Sequence, residues 1–171
     1  RAWIETCIHF ETMRRILAAL DVSVRTTPVL RTAIDLAKQY RASLVLFRAV
    51  DVPPEFPPAA ATHHADELGP KLLADARRDL DELASVARSL GVETSTDVVA
   101  STEPWRAIID AAQSRDADAI VVGSHGYRVI DRLLGTTAAR VADRAKTLVI
   151  VVHGAPTESA AESAGPYRTK S

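Results

Sequence analysis

The feature that most constrains the fold is the alternation of short, continuously apolar runs with segments of helical periodicity. The runs ILAAL, LVLF, AIVV and LVIVV are typical of strands that are covered on both faces. Strands alternating with helices indicate βαβ units and a parallel sheet. A more polar run, VETSTDVVA, is predicted as a fifth strand at a sheet edge. The sequence therefore predicts an α/β fold: a single-domain open twisted parallel sheet of five strands with helices on both faces.

Four segments between the strands are predicted as helices. The first two place apolar residues at helical spacing. The first helix carries Val29, Leu30, Ala33, Ile34 and Ala37. The second carries Leu73, Ala76, Leu80, Leu83, Ala87 and Leu90, and Gly91 is expected to end it. The third, TEPWRAIIDAAQSR, is expected to have Thr102 as N-cap and Pro104 in its first turn, with Trp105 packed against the sheet. The fourth is GTTAARVADRAK.

The fold is expected to occupy residues 13–153. Residues 1–12 are interpreted as an N-terminal extension outside the fold that need not be native, and residues 154–171, small and aperiodic, as a disordered tail. Four prolines make DVPPEFPPAAATHHAD a predicted loop. A net charge of −1 over 171 residues gives no reason to expect nucleic acid or a membrane as partner. The single cysteine, Cys7, excludes an intrachain disulfide and favours a reducing, cytoplasmic location.

The segment VVGSHGYRVIDRLLGTTAAR combines a strand end with a helix start. Gly123 and Gly126 would let a ligand approach the backbone, and Gly135 precedes Thr136 and Thr137 where a helix begins. A helix N-terminus has unpaired N–H groups that favour an anion. This spacing indicates a phosphate site, although strand-end glycines are also common turn residues and a threonine can simply cap a helix. Neither GxxxxGK[ST] nor GxGxxG occurs.

With these residues the chain resembles the universal stress protein family over nearly all of residues 13–153. The resemblance lies in RRILAALDVS, AIVVGSHG, LLGTTAARVADRAK and TLVIVV. Nucleotide-binding members carry G-x-x-G, nine residues, then G followed by Ser or Thr. Gly123, Gly126, Gly135 and Thr136 match, but eight residues rather than nine separate the second and third glycines. The resemblance implies a Rossmann-like fold, similar to that of the adenine nucleotide alpha hydrolases.

The resemblance also implies a ligand, a partner and a role. The ligand would be ATP or another adenine nucleotide, with Mg²⁺ where a metal accompanies the phosphates. The nucleotide would lie near Ala19, Leu20, Asp21, Ala49, Val122, Gly123, Ser124, His125, Gly126, Gly135, Thr136 and Thr137. The partner would be a second copy of the chain, bound through the last strand from Thr147 to Val152. An apolar edge strand also favours such pairing on physical grounds. The role would be that of a cytoplasmic, nucleotide-dependent regulatory dimer in the stress response.

Two other functions stay open at this stage. A slow ATPase or phosphotransferase would need a positioned base and a metal-holding carboxylate, for which Asp21 and His125 are the local candidates. Asp21 could equally cap the following helix, and His125 could be an ordinary loop residue. The other alternative is a structural dimer whose shortened glycine loop no longer binds nucleotide. No catalytic residue and no protein metal site are predicted, since His63 and His64 have no further ligands at suitable spacing.

Overall fold

The computed structural model describes residues 13–21, 26–51, 65–124 and 136–153, in which strands and helices alternate along the chain. The strands are β1 (Arg15–Ala19), β2 (Ser43–Val50), β3 (Thr94–Ala100), β4 (Ala119–Gly123) and β5 (Leu148–Val152). The helices are α1 (Thr26–Tyr40), α2 (Ala65–Ser89), α3 (Pro104–Ser114) and α4 (Thr136–Arg144). The predicted fold class is confirmed. None of the helices in the described ranges is long and apolar enough to span a bilayer.

The sheet is parallel throughout and has the strand order β3-β2-β1-β4-β5. The chain moves outward from β1 to β2 and β3, then crosses back to place β4 on the other side of β1. The direction of winding therefore reverses between β1 and β4, which is where ligands bind in open α/β sheets. Both predicted edge strands, the polar β3 and the apolar β5, lie at the edges.

Alternate residues of the central strands face two separate hydrophobic cores. One core contains α1 and α2 with Ile16, Ala18, Leu44, Leu46, Ala119 and Val121. The other contains α3 and α4 with Leu17, Val45, Phe47 and Ile120. The five residues predicted to form the inner side of α1 are the five that it buries. Trp105 belongs to the second core, as expected.

Three helices end in the same hydrogen-bonded turn, a Schellman motif. After α2, Gly91 has φ +85°, and the Val92 N–H donates to the Ala87 carbonyl at 3.1 Å. Arg41 after α1 and Asp116 after α3 occupy the same left-handed position, with φ of 54° and 50°. The sequence predicted the turn at Gly91, because glycine adopts positive φ without a Cβ penalty.

Three details of the prediction are wrong. Helix α2 begins at Ala65, so the last two residues of the predicted loop segment are helical. Leu90 lies beyond the end of that helix and is 47% exposed, because the chain turns away at Gly91. The N-cap of α3 is Glu103 rather than Thr102, since Pro104 is the first helical residue and its ring presets the helical φ. The Ser101 hydroxyl accepts the Glu103 N–H at 3.1 Å instead of a cap from Thr102.

Candidate functional site

The carboxyl ends of β1 and β4 lie side by side. In the ladder, Ala19 of β1 is opposite Val122 of β4 and opposite Phe47 of β2. Continuing the same register by two residues brings Asp21 level with Ser124 on one side and with Ala49 on the other. The residues predicted from three separate strands thus lie in adjacent rows at one edge of the sheet.

The end of β1 is held firmly on its β2 side. The Leu20 N–H donates to the Phe47 carbonyl at 2.8 Å, and the Leu20 side chain is buried. Asp21 is half-buried, and its carbonyl accepts a hydrogen bond from the hydroxyl of Thr26, the first residue of α1. This contact to α1 is made by the backbone of Asp21. These hydrogen bonds fix the position of the Asp21 backbone at the carboxyl end of β1.

The end of β4 is held by β5. The Ser124 N–H donates to the Val152 carbonyl at 2.8 Å, and Ser124 is 2% exposed. Val122 is buried and Gly123 is half-buried. Ser124 is thus a buried residue at the carboxyl end of β4, and β5 fixes its position.

Small side chains line the edge on the face that carries α3 and α4. Ala19 and Ala49 are partly buried and pack against the core on that face, together with Val99 of β3. Alanine is small, so neither side chain would block a flat group from approaching the strand ends beside Asp21. A larger side chain at either position would stand in its way.

Helix α4 begins with the two predicted threonines. Thr136 is exposed and Thr137 is half-buried, and the helix has no acidic residue in its first turn. The first N–H groups of a helix have no partner within the helix, and the helix dipole is positive there. This start therefore suits an anion, and two hydroxyls can add donors.

The other predicted site residues are outside the described ranges. They are His125, Gly126 and Gly135, and the segment between the last two contains the shortened spacing. The nucleotide contacts predicted for them stay predictions. The described part of the site consists of Ala19, Leu20, Asp21, Ala49, Val122, Gly123, Ser124, Thr136 and Thr137.

The carboxylates at this edge are better suited to a metal ion that is also bound by phosphates than to one bound by protein side chains alone. Asp21 follows β1 and Asp51 follows β2. Mg²⁺ usually binds through one or two carboxylates together with substrate phosphates and water. In the described ranges no three His, Cys, Asp or Glu side chains group closely enough to hold a metal. These residues thus fit Mg²⁺ only as part of a metal–nucleotide complex.

Two hollows in the described surface lie away from the carboxyl edge. One lies on the outer side of α2, and another, of about 360 Å³, lies at the amino ends of β1, β2 and β3. The second is lined by Arg15 and Arg115, whose guanidinium groups already bind the Arg115 carbonyl and the Asp97 carboxylate. Since both arginines are paired within the chain, the carboxyl edge is the better candidate for an anionic ligand.

One residue of this region was not predicted as part of it. Trp105 is the second residue of α3, the helix that follows the carboxyl end of β3. It packs in the same core as Ala19 and Ala49 and is 8% exposed. The sequence did contain a signal for it, because Trp105 lies in the first turn of a helix that starts at the carboxyl edge. Its neighbours on α4 became visible only in three dimensions.

Comparison with known proteins identifies the family and the fold. The model of the universal stress protein family matches residues 12–153. Universal stress protein MJ0531 of Methanocaldococcus jannaschii is 29% identical over 140 residues, which cover 81% of each chain. The solved structure of the hypothetical protein MJ0577 has a TM-score of 0.74 at 20% identity and covers 85% of this chain and 99% of its own, which shows the shared fold. A universal stress protein solved in complex with cAMP has a TM-score of 0.58 at 26% identity and covers 83% of this chain and 98% of its own.

Proposed function

Because the chain belongs to the universal stress protein family, we propose that it binds ATP or another adenine nucleotide at the carboxyl edge of β1 and β4. The observation that carries this proposal is the ladder register, which aligns Ala49, Asp21 and Ser124 at the point where the winding of the sheet reverses. The complex of a family member with cAMP supports an adenine nucleotide as the ligand class.

Each part of the nucleotide has a counterpart at this edge. The space beside Ala19 and Ala49 suits the flat adenine ring, and the Asp21 carboxylate can accept hydrogen bonds from ribose hydroxyls. The start of α4, with Thr136 and Thr137, suits the phosphates. Mg²⁺, when it accompanies ATP, would be held by Asp21 together with phosphate oxygens.

The nucleotide would act as a regulatory ligand of a cytoplasmic dimer in the stress response. A ligand shifts a conformational equilibrium only through its different affinity for the two states. Helix α4 is the element that touches both the phosphate position and the rest of the fold. Ordering of α4 by bound nucleotide is therefore the step that would transmit occupancy of the site.

Titration calorimetry with ATP, ADP and cAMP tests the nucleotide site. The Thr136→Val/Thr137→Val double variant removes two hydroxyl donors with little change of shape, and we expect binding at least about 10-fold weaker, since hydrogen bonds to charged groups are strong. The matched control is Thr32→Val in α1, where the hydroxyl donates to the Pro28 carbonyl at 2.9 Å. Equal affinity in the double variant and the control would contradict the phosphate assignment.

The dimer would form through β5, from Thr147 to Val152. In the described chain this strand is an edge, and Leu148 is 54% exposed. The Val152 carbonyl points to β4, where it accepts the Ser124 N–H. Because backbone groups alternate in direction along a strand, those of Val149 and Val151 point to the open edge. An apolar edge with outward backbone groups is a pairing surface for a second copy.

A single substitution separates this pairing from folding. Val151→Pro removes an N–H that faces outward, so it leaves the ladder to β4 intact, and proline is tolerated at such edge positions. We expect Val151→Pro to be monomeric by analytical ultracentrifugation, whereas Val151→Thr, which keeps the N–H and the branched shape, stays dimeric. A monomeric parent chain would refute the dimer.

A further inference from the structure

Helix α4 is weakly anchored by its own side chains. It has nine residues and buries only Ala138 and Val141, both of modest size. Short helices are marginal without tertiary contacts, so the position of α4 depends on what its exposed residues touch. The position matters because the same helix carries Thr136 and Thr137 at its start.

Two arginines of α4 lie against one aromatic ring of α3. The guanidinium carbons of Arg140 and Arg144 are 5.7 Å and 4.7 Å from the centroid of the Trp105 indole. The two arginines are four residues apart and so lie on one side of the helix. Both distances are within the range of a cation–π interaction, about 6 Å.

Trp105 is suited to be the fixed member of this contact. It is 8% exposed and packs with Leu17, Val45 and Phe47 under the sheet. Within the described ranges its buried Nε1 has no hydrogen-bond partner, so packing and the guanidinium groups fix the ring. The ring belongs to the same core as Ala19 and Ala49, the small residues of the candidate site.

We propose that Trp105, through Arg140 and Arg144, is a positioning residue that holds helix α4 so that Thr136 and Thr137 meet the nucleotide phosphates. This inference rests on the proposed function, because it assigns how that nucleotide site is kept in register. By linkage, a nucleotide that stabilises this position of α4 also stabilises the contact of Arg140 and Arg144 with the indole. The emission of Trp105 would then report whether the site is occupied.

The chain offers a control that matches the test variant in charge. Arg106 lies 5.1 Å from the same indole but belongs to α3 itself, and it pairs at 2.8 Å with Glu103, the N-cap of that helix. Arg144→Met and Arg106→Met each remove one positive charge beside Trp105, but only the first removes a link between α3 and α4. An effect of charge alone would appear in both.

The experiment measures the affinity for ATP by calorimetry in a Trp3→Phe background, where Trp105 is the only tryptophan. We expect Arg144→Met to weaken binding about 3- to 10-fold and Arg106→Met by less than about 2-fold. Arg144→Lys keeps the positive charge but replaces the planar guanidinium with an ammonium group. It should therefore recover only part of the lost affinity for ATP.

A spectroscopic readout distinguishes positioning from a general loss of stability. In the Trp3→Phe chain, ATP should change the Trp105 emission with the same apparent Kd that calorimetry gives, and Arg144→Met should move both values together. ATP binding with equal affinity in the two methionine variants and no emission change would overturn this inference alone. If the parent chain binds no adenine nucleotide, the proposed function is wrong and this inference with it.

Discussion

The two ends of the sheet are built differently. At the amino end, the chain satisfies its polar groups internally: the Asp118 carboxylate accepts the N–H groups of Arg14 and Arg15 at 2.7 Å and 2.9 Å, and Arg115 pairs with Asp97 at 2.9 Å. The three Schellman turns also close this end. At the carboxyl end, Ala19 and Ala49 are small and partly buried, Gly123 is half-buried, and α4 begins with the exposed Thr136.

This difference between the two ends assigns stability mainly to the amino end and ligand binding to the carboxyl end. Helices that end in hydrogen-bonded turns leave few backbone groups for a ligand, whereas helices that begin at an edge leave N–H groups available there. Substitutions at the amino end should therefore change the free energy of unfolding without changing nucleotide affinity. Substitutions at the carboxyl end should change nucleotide affinity more than they change the free energy of unfolding.

The largest effect is expected for Ala49→Phe at the carboxyl end. A phenyl ring fills the space beside Asp21 that we assign to adenine, so nucleotide affinity should fall about 100-fold. Isothermal titration calorimetry measures the loss, and urea unfolding measures stability. Ala49→Ser keeps the small volume and serves as the control. Unchanged affinity in Ala49→Phe would place the adenine elsewhere.

An intermediate effect, on stability rather than on nucleotide affinity, is expected for Asp118→Ala at the amino end. It removes an acceptor shared by two backbone N–H groups. Since Asp118 is half-buried and both arginines are exposed, we expect the free energy of unfolding to fall by about 1–2 kcal/mol. Asp118→Asn keeps one acceptor oxygen and should lose less. Nucleotide affinity should not change in either variant. A loss of affinity as large as that of Ala49→Phe would erase the distinction between the two ends.

The smallest effect is expected for Arg41→Gly in the turn after α1. Arg41 has φ 54°, a conformation that costs a residue with a Cβ more than it costs glycine. We expect a gain of about 0.5–1 kcal/mol in the free energy of unfolding, measured by urea titration. Arg31→Gly, in the interior of the same helix, should destabilise instead. A loss of stability in Arg41→Gly would mean that the arginine side chain contributes more than the backbone strain.

The sequence predicted the elements better than their ends and contacts. The apolar runs indicate strands because a strand buried on both faces is apolar throughout. The spacing of Val29 to Ala37 indicates a helix face because burial on one side leaves a helical period. The turns at Arg41 and Asp116 were not predicted, because neither residue type marks positive φ as glycine does at Gly91.

The site could be predicted only in part. The neighbourhood of Asp21 and Gly123 depends on the strand order, which periodicity alone does not determine. The structure shows that β1 pairs with β4. The contact of Trp105 with Arg140 and Arg144 joins two helices that are separated by a strand, and no local pattern reports such a contact.

The most direct test of the nucleotide site is a ¹H–¹⁵N NMR titration of the labelled protein with ATP. The account predicts chemical-shift changes concentrated at residues 19–21, 49, 122–124 and 136–137, with little change at residues 14–15, 93–95 and 115–118 of the amino end. Changes centred on the amino end, or none at saturating ATP, would contradict the assignment of the carboxyl edge as the nucleotide site.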